Sequence, residues 1–519
     1  MASTLTQDIA IAEGDSTRVG WRGWAALAVL MLPVLLVSVD NTVLSFALPQ
    51  IALDLEPTAT QQLWIIDAYP LVLASLLVTM GVLGDRFGRR RMLLIGAAGF
   101  GAVSALAAFA PSAEWLIAAR AAMGIFGAML MPSTLSLLRS IFSNRDQRRM
   151  AIAIWASAFS AGAALGPVVG GILLQHFAWG AVFLMAVPVL VPLLILVPIL
   201  VPESRDPHPG RFDALSVVLS LGTMVPIVYA IKEFAVHGTE SALPLVLVVV
   251  GVVFGVLFVR RQNRLETPML DMRLFRRANF TGSVLVNLLS VIGLVGFLYF
   301  VAQHLQLVVG LSPLDAALAL VPGLLAMIVA GIGVVPIAKR VAPRIVVPTA
   351  LGFSVLGYVL VAIAADTGAL PLLIGAFVSL GIGIGSAETV SNELILASAP
   401  PAKAGAASAV SETAYELGAV LGTTIMGGLL AAFYRASLVL PAGIPDSAAD
   451  AASQTLAGAV AASETLDQAM GQALRDAAAH AFDAGVGVTA LIGAGLIVVA
   501  ALIAAFTLGG RHKPVPVDH

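Results

Sequence analysis

Six acidic side chains lie within long apolar stretches of the chain, where an ionised group would be costly. These acids are Asp40, Asp67, Glu388, Glu393, Glu412 and Glu416. A charged side chain at the centre of a lipid bilayer costs ~3 kcal/mol or more, and burial favours the neutral form of a carboxyl group. The same stretches contain one basic residue, Arg120. We therefore expect most of these acids to be neutralised by a proton or by a bound cation.

The spacing of the acids suggests which of them act together. Glu412 and Glu416 are four residues apart, so on a helix they share one face about a turn apart. Asp40 and Arg120 both fall in the outer halves of their apolar segments, where they could pair. Asp67 and Glu393 lie near segment ends, and the alternative for these two is that they are simply hydrated. Glu388 is followed one turn later by Asn392, and its role is left open.

This composition predicts an exchange chemistry. A buried carboxyl group that binds a proton on one side of a membrane can lose it to a cationic ligand on the other side. Exchange follows if the site cannot hold both. Aromatic rings could add cation–π contacts to a bulky organic cation, although packing or lipid contact is the alternative for each ring. The candidate rings are Trp64, Trp155, Phe159, Tyr299, Phe300 and Tyr415.

The apolar stretches are predicted to be membrane spans. Hydrophobic residues make up 59% of the 519 residues and charged residues 11%, with a mean hydropathy of +0.97. Soluble domains carry roughly a quarter charged residues, so lipid must surround most of this chain. A helix needs roughly 20 apolar residues to cross a bilayer. Fourteen such runs occur near 24–48, 63–84, 92–111, 115–137, 150–174, 179–202, 213–235, 242–260, 279–307, 313–337, 346–365, 370–396, 405–433 and 484–508.

Lysines and arginines predict the orientation of these spans, because they accumulate on the cytoplasmic side. With the N-terminus inside, all but four of the 28 fall in cytoplasmic segments. The exceptions are Arg120, within a span, and Lys232, Arg435 and Arg475, which are expected outside. We therefore predict an even number of spans with both termini cytoplasmic.

Several other function classes are disfavoured. The chain has no cysteine, no basic domain that would bind nucleic acid, and no Walker phosphate loop (GxxxxGK[ST]) that would bind ATP. No soluble catalytic domain or clustered His/Asp site is recognisable, so we expect no enzyme activity, no cofactor and no metal. We interpret Gln303, His304 and Gln306 as a polar helix end rather than a metal site.

The chain repeats itself at a distance of 256 residues. The sequence GAALG at 162–166 matches GAVLG at 418–422, and paired glycines follow both. The fifth span thus matches the thirteenth, which predicts six repeated helices with two helices inserted between them. Such repeats typically place a ligand site near the midplane between two halves.

The loop after the second span has the sequence GVLGDRFGRRR at 81–91. Its glycines permit close packing and a tight reversal, and Asp85 could cap a helix or pair with an arginine. The alternative is a plain basic cytoplasmic loop. The segment resembles the signature loop of the major facilitator superfamily. By that resemblance Gly81, Asp85, Arg86, Gly88 and Arg89 form a conformational switch, in which Asp85 and Arg89 latch the two halves in the outward-open state.

Three more segments narrow the resemblance to the fourteen-span drug–proton antiporters of the QacA/SmvA type. They are VDNTVL at 39–44 followed by ALP at 47–49, LIAARAAMG at 116–124, and the glycines around Gly166-Pro167. Ser45-Phe46 and Ala186 depart from the usual family pattern, which leaves the substrates less well defined than the fold. In the family Gly162, Gly166, Pro167 and Gly170 belong to an antiporter motif that bends the fifth span. The alternative is a simple packing kink.

The resemblance implies an all-α membrane protein with the major facilitator fold, two six-helix bundles plus two inserted helices. The expected division is a cytoplasmic tail 1–23, a first bundle 24–202, a linker with the inserted helices 203–278, a second bundle 279–508 and a tail 509–519. Between 434 and 483 the second bundle is expected to carry an exterior loop with one or two helices. The alternative for that loop is a disordered connector.

The implied activity is proton-coupled export of lipophilic organic cations by a monomer in a bacterial cytoplasmic membrane. Asp40 with Arg120 would couple protons. Asp67, Glu412 and Glu416 resemble family acids that bind the cation, with Glu388 and the six aromatic rings as further candidates. The alternative is an exporter of an amphipathic lipid or metabolite, which would not depend on Glu412 and Glu416.

Overall fold

The protein is described by a computed structural model for residues 19–142, 144–205, 213–237, 242–265, 268, 272–398 and 404–509. Most of the predicted tails 1–23 and 509–519 lies outside the described residues, as does most of the 203–212 linker. Within the described residues, fourteen helical segments are long and apolar enough to cross a bilayer, and the all-α fold class is confirmed.

Spans 1 to 8 are formed by Trp21–Leu55, Ala59–Phe87, Arg89–Ala107, Ala113–Ile141, Arg145–His176, the pair Ala181–Leu184 and Ala186–Leu200, Ala214–His237, and Leu243–Gln262. Spans 9 to 14 are formed by Ala278–Gln303 with the π-helical turn His304–Val308, Pro313–Ala338, Pro343–Thr367, Leu370–Ala397, the run Ala404–Gly422, Thr423–Gly427 and Gly428–Ser437, and Gln468–Thr507. Several of these spans begin with a residue whose side chain caps the first turn of the helix. Thr58 and Gln61 form a capping box at span 2, and Ser112 caps span 4.

Packing between spans repeats in the two halves of the chain. In the first half span 1 packs against spans 5 and 6, span 4 against spans 2 and 3, and span 3 against span 6. Each of these pairs recurs in the second half with every span number raised by eight. The predicted six-helix repeat with two inserted helices is thereby confirmed. The halves meet where span 1 contacts span 9, span 2 contacts span 13, and span 5 contacts span 10.

Glycines allow the closest of these repeated contacts. A Cβ at Gly166 of span 5 would lie 1.8 Å from Thr42 Oγ1 and 3.0 Å from the Val39 carbonyl oxygen of span 1. In the second half, a Cβ at Gly422 would lie 2.8 Å from the Ile292 carbonyl oxygen of span 9. A Cβ at Gly162 would lie 2.8 Å from Ser38 of span 1, and one at Gly170 would lie 2.7 Å from Val43 of the same span. The repeated glycines therefore mark equivalent close approaches of two helices.

The two inserted spans pack on each other as a hairpin. At its open end Arg261 donates three hydrogen bonds to Asp213, at 2.8, 3.0 and 3.2 Å, and Gln262 donates to Ser216 at 2.7 Å. The hydrogen bonds from Arg261 lower the pKa of Asp213 to about 2. Span 7 of this hairpin also packs against span 2 of the first half and span 13 of the second.

The connection between spans 13 and 14 forms the two short helices Asp446–Gln454 and Leu456–Glu464. The predicted helices in this loop are confirmed, although the last span begins at Gln468 rather than near 484. The helix Leu456–Glu464 packs against span 14 and also contacts span 1 of the first half. It therefore lies over the same end of the bundle as the junction between spans 1 and 2. We call this the opposite end, and we call the end that carries Arg89, Arg90 and Arg91 the basic end.

The glycine contact predicts a specific loss of stability. Gly166→Ala should destabilise the purified protein by about 1–3 kcal/mol, because its methyl group overpacks the contact with Thr42. Gly495→Ala is the matched control, since no heavy atom lies within 4 Å of a Cβ placed at this helical glycine of span 14. Thermal unfolding in detergent measures both. An equal change in Tm for the two variants would contradict the assigned packing role of Gly166.

Candidate functional site

A cavity of about 220 Å³ lies between the two halves, toward the basic end. The first half contributes only apolar and aromatic side chains, while all the acidic, amide and serine side chains come from the second half together with Leu396 and Tyr415. Its lining residues are Leu77, Met131, Trp155, Phe159, Asn287, Glu388, Asn392, Leu396, Ser411, Glu412, Tyr415 and Glu416. Leu396, at the basic end of span 12, is 45% exposed. Three of the six acids predicted from the sequence thus share one cavity.

The cavity's polar wall is organised by hydrogen bonds between spans 9, 12 and 13. Ser411 Oγ donates to Asn392 Oδ1 at 2.5 Å, and Asn287 Nδ2 lies 3.4 Å from both Asn392 Oδ1 and Ser411 Oγ. This network lies between Glu388 on span 12 and Glu412 on span 13. Asn392 Oδ1 and Ser411 Oγ thus have hydrogen-bond partners within the network, whereas Asn287 Oδ1 is buried with no hydrogen-bond partner among the described residues.

Three of the six predicted aromatic rings lie in this cavity. Phe159 of span 5 and Tyr415 of span 13 meet edge to face with centroids 5.5 Å apart, across the boundary between the halves. Trp155 is fixed by a hydrogen bond from Nε1 to Thr134 Oγ1 at 3.1 Å. The faces and edges of these rings can contact a flat organic cation that lies beside the carboxylates.

The other three rings do not line the cavity. Tyr299 is buried toward the opposite end, where Gly427 packs on its ring, and Phe300 is buried with its ring 5.4 Å from that of Phe297. Trp64 contacts Lys232 and Tyr229 of span 7. These three rings therefore lie away from the cavity that contains Glu412, and their role in binding a substrate stays a prediction. Helical spacing alone did not show which face of spans 2 and 9 meets the cavity.

Asp40 and Arg120 form a buried ion pair, as their positions suggested. Arg120 Nη1 lies 2.6 Å from Asp40 Oδ2, and the two side chains are 4% exposed or less. Arg120 Nε also donates to the Ile65 carbonyl at 3.2 Å, and the guanidinium lies 4.6 Å from the Tyr69 ring centroid. Spans 1, 2 and 4 are thus held together around one charge pair.

Asn41 brings the neighbourhood of this ion pair close to the cavity. Asn41, next to Asp40 on span 1, lies 3.3 Å through Nδ2 from Glu416 Oε1. A small void of about 20 Å³ continues past Tyr415 and is bounded by Asn41 and Arg120. Glu416 of the second half is thereby one side chain away from the charge pair of the first half.

Asp67 is neither hydrated nor part of the cavity. It is fully buried, with Oδ2 2.8 Å from Lys232 Nζ and 2.7 Å from Thr424 Oγ1. The expectation that Lys232 lies outside the membrane is wrong, because its side chain is 0% exposed within span 7. Among the described residues, the spans therefore contain two buried basic side chains, Arg120 and Lys232, where we expected only Arg120 from the sequence. Glu393, by contrast, is exposed on span 12, as the hydrated alternative requires.

The loop at 81–91 is stabilised by partners in the first half. Asp85 Oδ1 lies 2.8 Å from Arg89 Nε, and Arg89 Nη1 donates to Ser204 Oγ at 3.0 Å. Gly88 has φ +115°, and a Cβ there would lie 2.8 Å from the Glu203 carboxylate. Arg86 lies over the Phe87 ring. At Gly81, however, a Cβ would make an ordinary 3.5 Å contact with Pro132, so close packing does not require glycine there.

Glu203 is a member of this cluster that the sequence did not reveal. Its Oε1 accepts from Arg90 N at 3.0 Å, and its Oε2 lies 4.0 Å from both Arg90 Nε and Arg91 Nε. It approaches the first turn of span 3 as an N-terminal acid would. The signal that could have revealed this role is the position of Glu203, an acidic residue directly after span 6 at the basic end. We expected only a linker in that segment.

At the opposite end the halves are in contact. Gln306 Nε2 donates to the Phe46 carbonyl at 3.1 Å, joining the ends of spans 9 and 1. A Cβ on Gly171 of span 5 would meet Pro313 and Ala317 of span 10 at 3.0 Å or less. His304 at the end of span 9 lies 2.8 Å through Nδ1 from Asp483 Oδ1 of span 14. The cavity is therefore closed at the opposite end.

Comparison with known proteins agrees with this architecture. The multidrug efflux pump LfrA of Mycolicibacterium smegmatis is 57% identical over 489 residues, covering 94% of this chain and 97% of the relative. The methyl viologen resistance protein SmvA of Salmonella typhimurium is 37% identical over 464 residues, covering 89% and 93%. The tetracenomycin C resistance and export protein of Streptomyces glaucescens is 31% identical, covering 97% and 96%.

A solved structure shows the same fold at low sequence identity. It is a bacterial homologue of the human lysosomal transporter Spinster in an inward-facing and unoccupied conformation, with a TM-score of 0.65 and 18% identity, covering 97% of this chain and 100% of that one. The model of the Major Facilitator Superfamily matches residues 30–423. With fourteen spans, a repeated six-helix architecture and these relatives, this chain is a multi-pass membrane transporter that belongs to the major facilitator superfamily.

Proposed function

We propose that this protein exports lipophilic organic cations in exchange for protons, by alternating access of the cavity to the two membrane faces. The observation that carries the proposal is the cavity with Glu388, Glu412 and Glu416. In the described part of the chain, none of the ion pairs within 4.0 Å includes any of these three carboxylates. In a site of low polarity, each must be neutralised by a proton or by a cation.

The relatives support small cationic substrates. LfrA is named a multidrug efflux pump and SmvA a methyl viologen resistance protein. Methyl viologen is a flat dication, a shape that aromatic side chains and several carboxylates accommodate. A cavity that offers Trp155, Phe159 and three acids has matching chemistry for such molecules.

The contact between Asn41 and Glu416 supports a way to couple the two ions. The Asp40–Arg120 pair is neutral overall while Asp40 is ionised. A proton on Asp40 leaves the charge of Arg120 uncompensated in a region of low dielectric constant, one side chain from Glu416. That positive charge disfavours a cation at Glu416. Proton and substrate then exclude each other, which is the requirement for antiport.

Proton coupling is tested with purified protein in liposomes under an imposed pH gradient. We expect wild-type transport of ethidium to follow the gradient. In Asp40→Asn and Glu416→Gln the gradient-driven component should fall about tenfold or more, because each loses a proton site worth at least ~1.4 kcal/mol of coupling. Ethidium transport that ignores the gradient in the wild type would eliminate proton coupling. Unaltered transport in both variants would eliminate these two residues as its carriers.

Recognition of positive charge is tested with two glutamates of the second half. Glu412→Gln should weaken ethidium binding about tenfold or more, because a hydrogen bond to a charged group contributes ~1.5–3 kcal/mol. Glu393→Gln is the matched control, since Glu393 is exposed outside the cavity on span 12. Binding is measured by fluorescence anisotropy at constant pH. Equal affinities of wild type and Glu412→Gln would favour the alternative, export of a neutral amphipathic lipid or metabolite.

We further propose that the basic end faces the cytoplasm of a bacterial cell, so that both termini are cytoplasmic and the cavity faces inward in this conformation. The chain has no native cysteine, so a single introduced thiol reports its own accessibility. Leu396→Cys should react with a membrane-impermeant maleimide faster in inside-out than in right-side-out vesicles. Ser391→Cys, at a position that is 0% exposed on the same span, is the control and should react slowly in both. Faster labelling of Leu396→Cys in right-side-out vesicles would reverse the proposed orientation.

A further inference from the structure

Three parts of the chain meet at the carboxylate of Asp67. Asp67 belongs to span 2 of the first half, Thr424 to span 13 of the second, and Lys232 to the inserted hairpin. Thr424 Oγ1 donates to Asp67 Oδ2 at 2.7 Å, and Lys232 Nζ lies 2.8 Å from the same oxygen. The mechanism proposed above uses none of these groups, although all three side chains are 0% exposed.

Lys232 of the inserted hairpin is held by well-defined contacts with span 2. Its ammonium lies 3.8 Å from the centroid of the Trp64 ring, one helical turn from Asp67 on span 2. Trp64 in turn packs on Tyr229 of span 7 at a centroid distance of 6.1 Å. A buried lysine is tolerated when its charge stays paired, so Lys232 holds the hairpin to span 2 through both a carboxylate and an aromatic ring.

The contact lies where the two halves close the opposite end. Thr424 is within the π-helical turn Thr423–Gly427 of span 13, and a Cβ at Gly427 would lie 2.6 Å from Leu63 of span 2. The equivalent crossing in the repeat, between spans 5 and 10, is a contact of Gly171 with Pro313 and Ala317. One crossing is therefore apolar, while the other contains a buried charge pair supplied partly by the inserted hairpin.

We propose that Lys232 is a positioning residue for the gate at the opposite end. It holds Asp67 in the orientation that accepts the hydrogen bond of Thr424, so the inserted hairpin stabilises the closed contact between spans 2 and 13. When this end opens, the Thr424–Asp67 hydrogen bond breaks while Lys232 stays with Asp67, because Lys232 contacts both Asp67 and Trp64 of span 2. This inference rests on the alternating access proposed above, but not on the identity of the substrate or on protons.

The gate can be observed directly because the chain is free of cysteine. Spin labels on Leu53→Cys of span 1 and Val439→Cys after span 13 report the separation of the halves at the opposite end; the native side chains are 39% and 77% exposed. Electron–electron distance measurements are made in lipid nanodiscs at constant pH without substrate. We expect one dominant short distance in the labelled parent, and at least a roughly threefold larger long-distance fraction in Thr424→Val. Thr223→Val of span 7, whose hydroxyl donates to the Leu219 carbonyl of its own helix, is the matched control and should match the parent.

The decisive variant removes both charges. Lys232→Met alone leaves Asp67 buried and unpaired, so Lys232→Met is combined with Asp67→Asn, whose side-chain amide keeps a carbonyl oxygen for Thr424. We expect this double variant to retain the parent's thermal stability and to open about as often as Thr424→Val. A double variant that stays as closed as the parent would show that Lys232 only compensates the charge of Asp67, and would overturn the proposal. A Thr424→Val variant that stays closed would overturn it equally. Failure of proton coupling or cation binding would leave these distances unchanged, so the two proposals fail separately.

Discussion

The controlling constraint in this protein is that no charge within the membrane can remain uncompensated. The chain meets this constraint in two ways. Asp40 is paired with Arg120, and Asp67 is paired with Lys232. These two ion pairs connect span 1 with span 4 and span 2 with span 7. Glu388, Glu412 and Glu416 have no such partner among the described ion pairs, and for them compensation must come from a proton or from a ligand.

The two halves share the same helix packing, but their buried acidic residues differ in position and in pairing. The six-helix packing of one half recurs in the other, with glycines such as Gly166 and Gly422 at equivalent close approaches. The unpaired cavity acids, however, all come from the second half, while the paired acids Asp40 and Asp67 both belong to the first. In the proposed mechanism, the symmetry gives two ways of closing the cavity, and the asymmetry makes the two halves respond to different ions.

The spans, their repeat and the Asp40–Arg120 pair could be predicted from the sequence, because hydropathy and helical spacing are local properties and a buried acid requires a partner. Glu412 and Glu416 were placed together by a spacing of four. Lys232 was missed because it lies near the end of an apolar run, where position along the chain does not distinguish an interfacial lysine from a buried one. The sequence could not show that Tyr299 and Phe300 lie away from the cavity, because the apolar pattern of span 9, which is buried almost all round, does not indicate which face meets the cavity.

In the proposed exchange of protons for cations, the contacts between the two halves link charge to movement. Glu416 of span 13 lies 3.3 Å from Asn41 of span 1 in the conformation in which the halves are also in contact at the opposite end. Opening that end must alter the distance between the cavity acids and the Asp40–Arg120 pair, because they belong to different halves. The Coulomb energy between two groups in a medium of low dielectric constant changes steeply with such distances. In the proposed mechanism, a rigid-body motion of the halves therefore changes the proton affinity of one half and the cation affinity of the other in a single step.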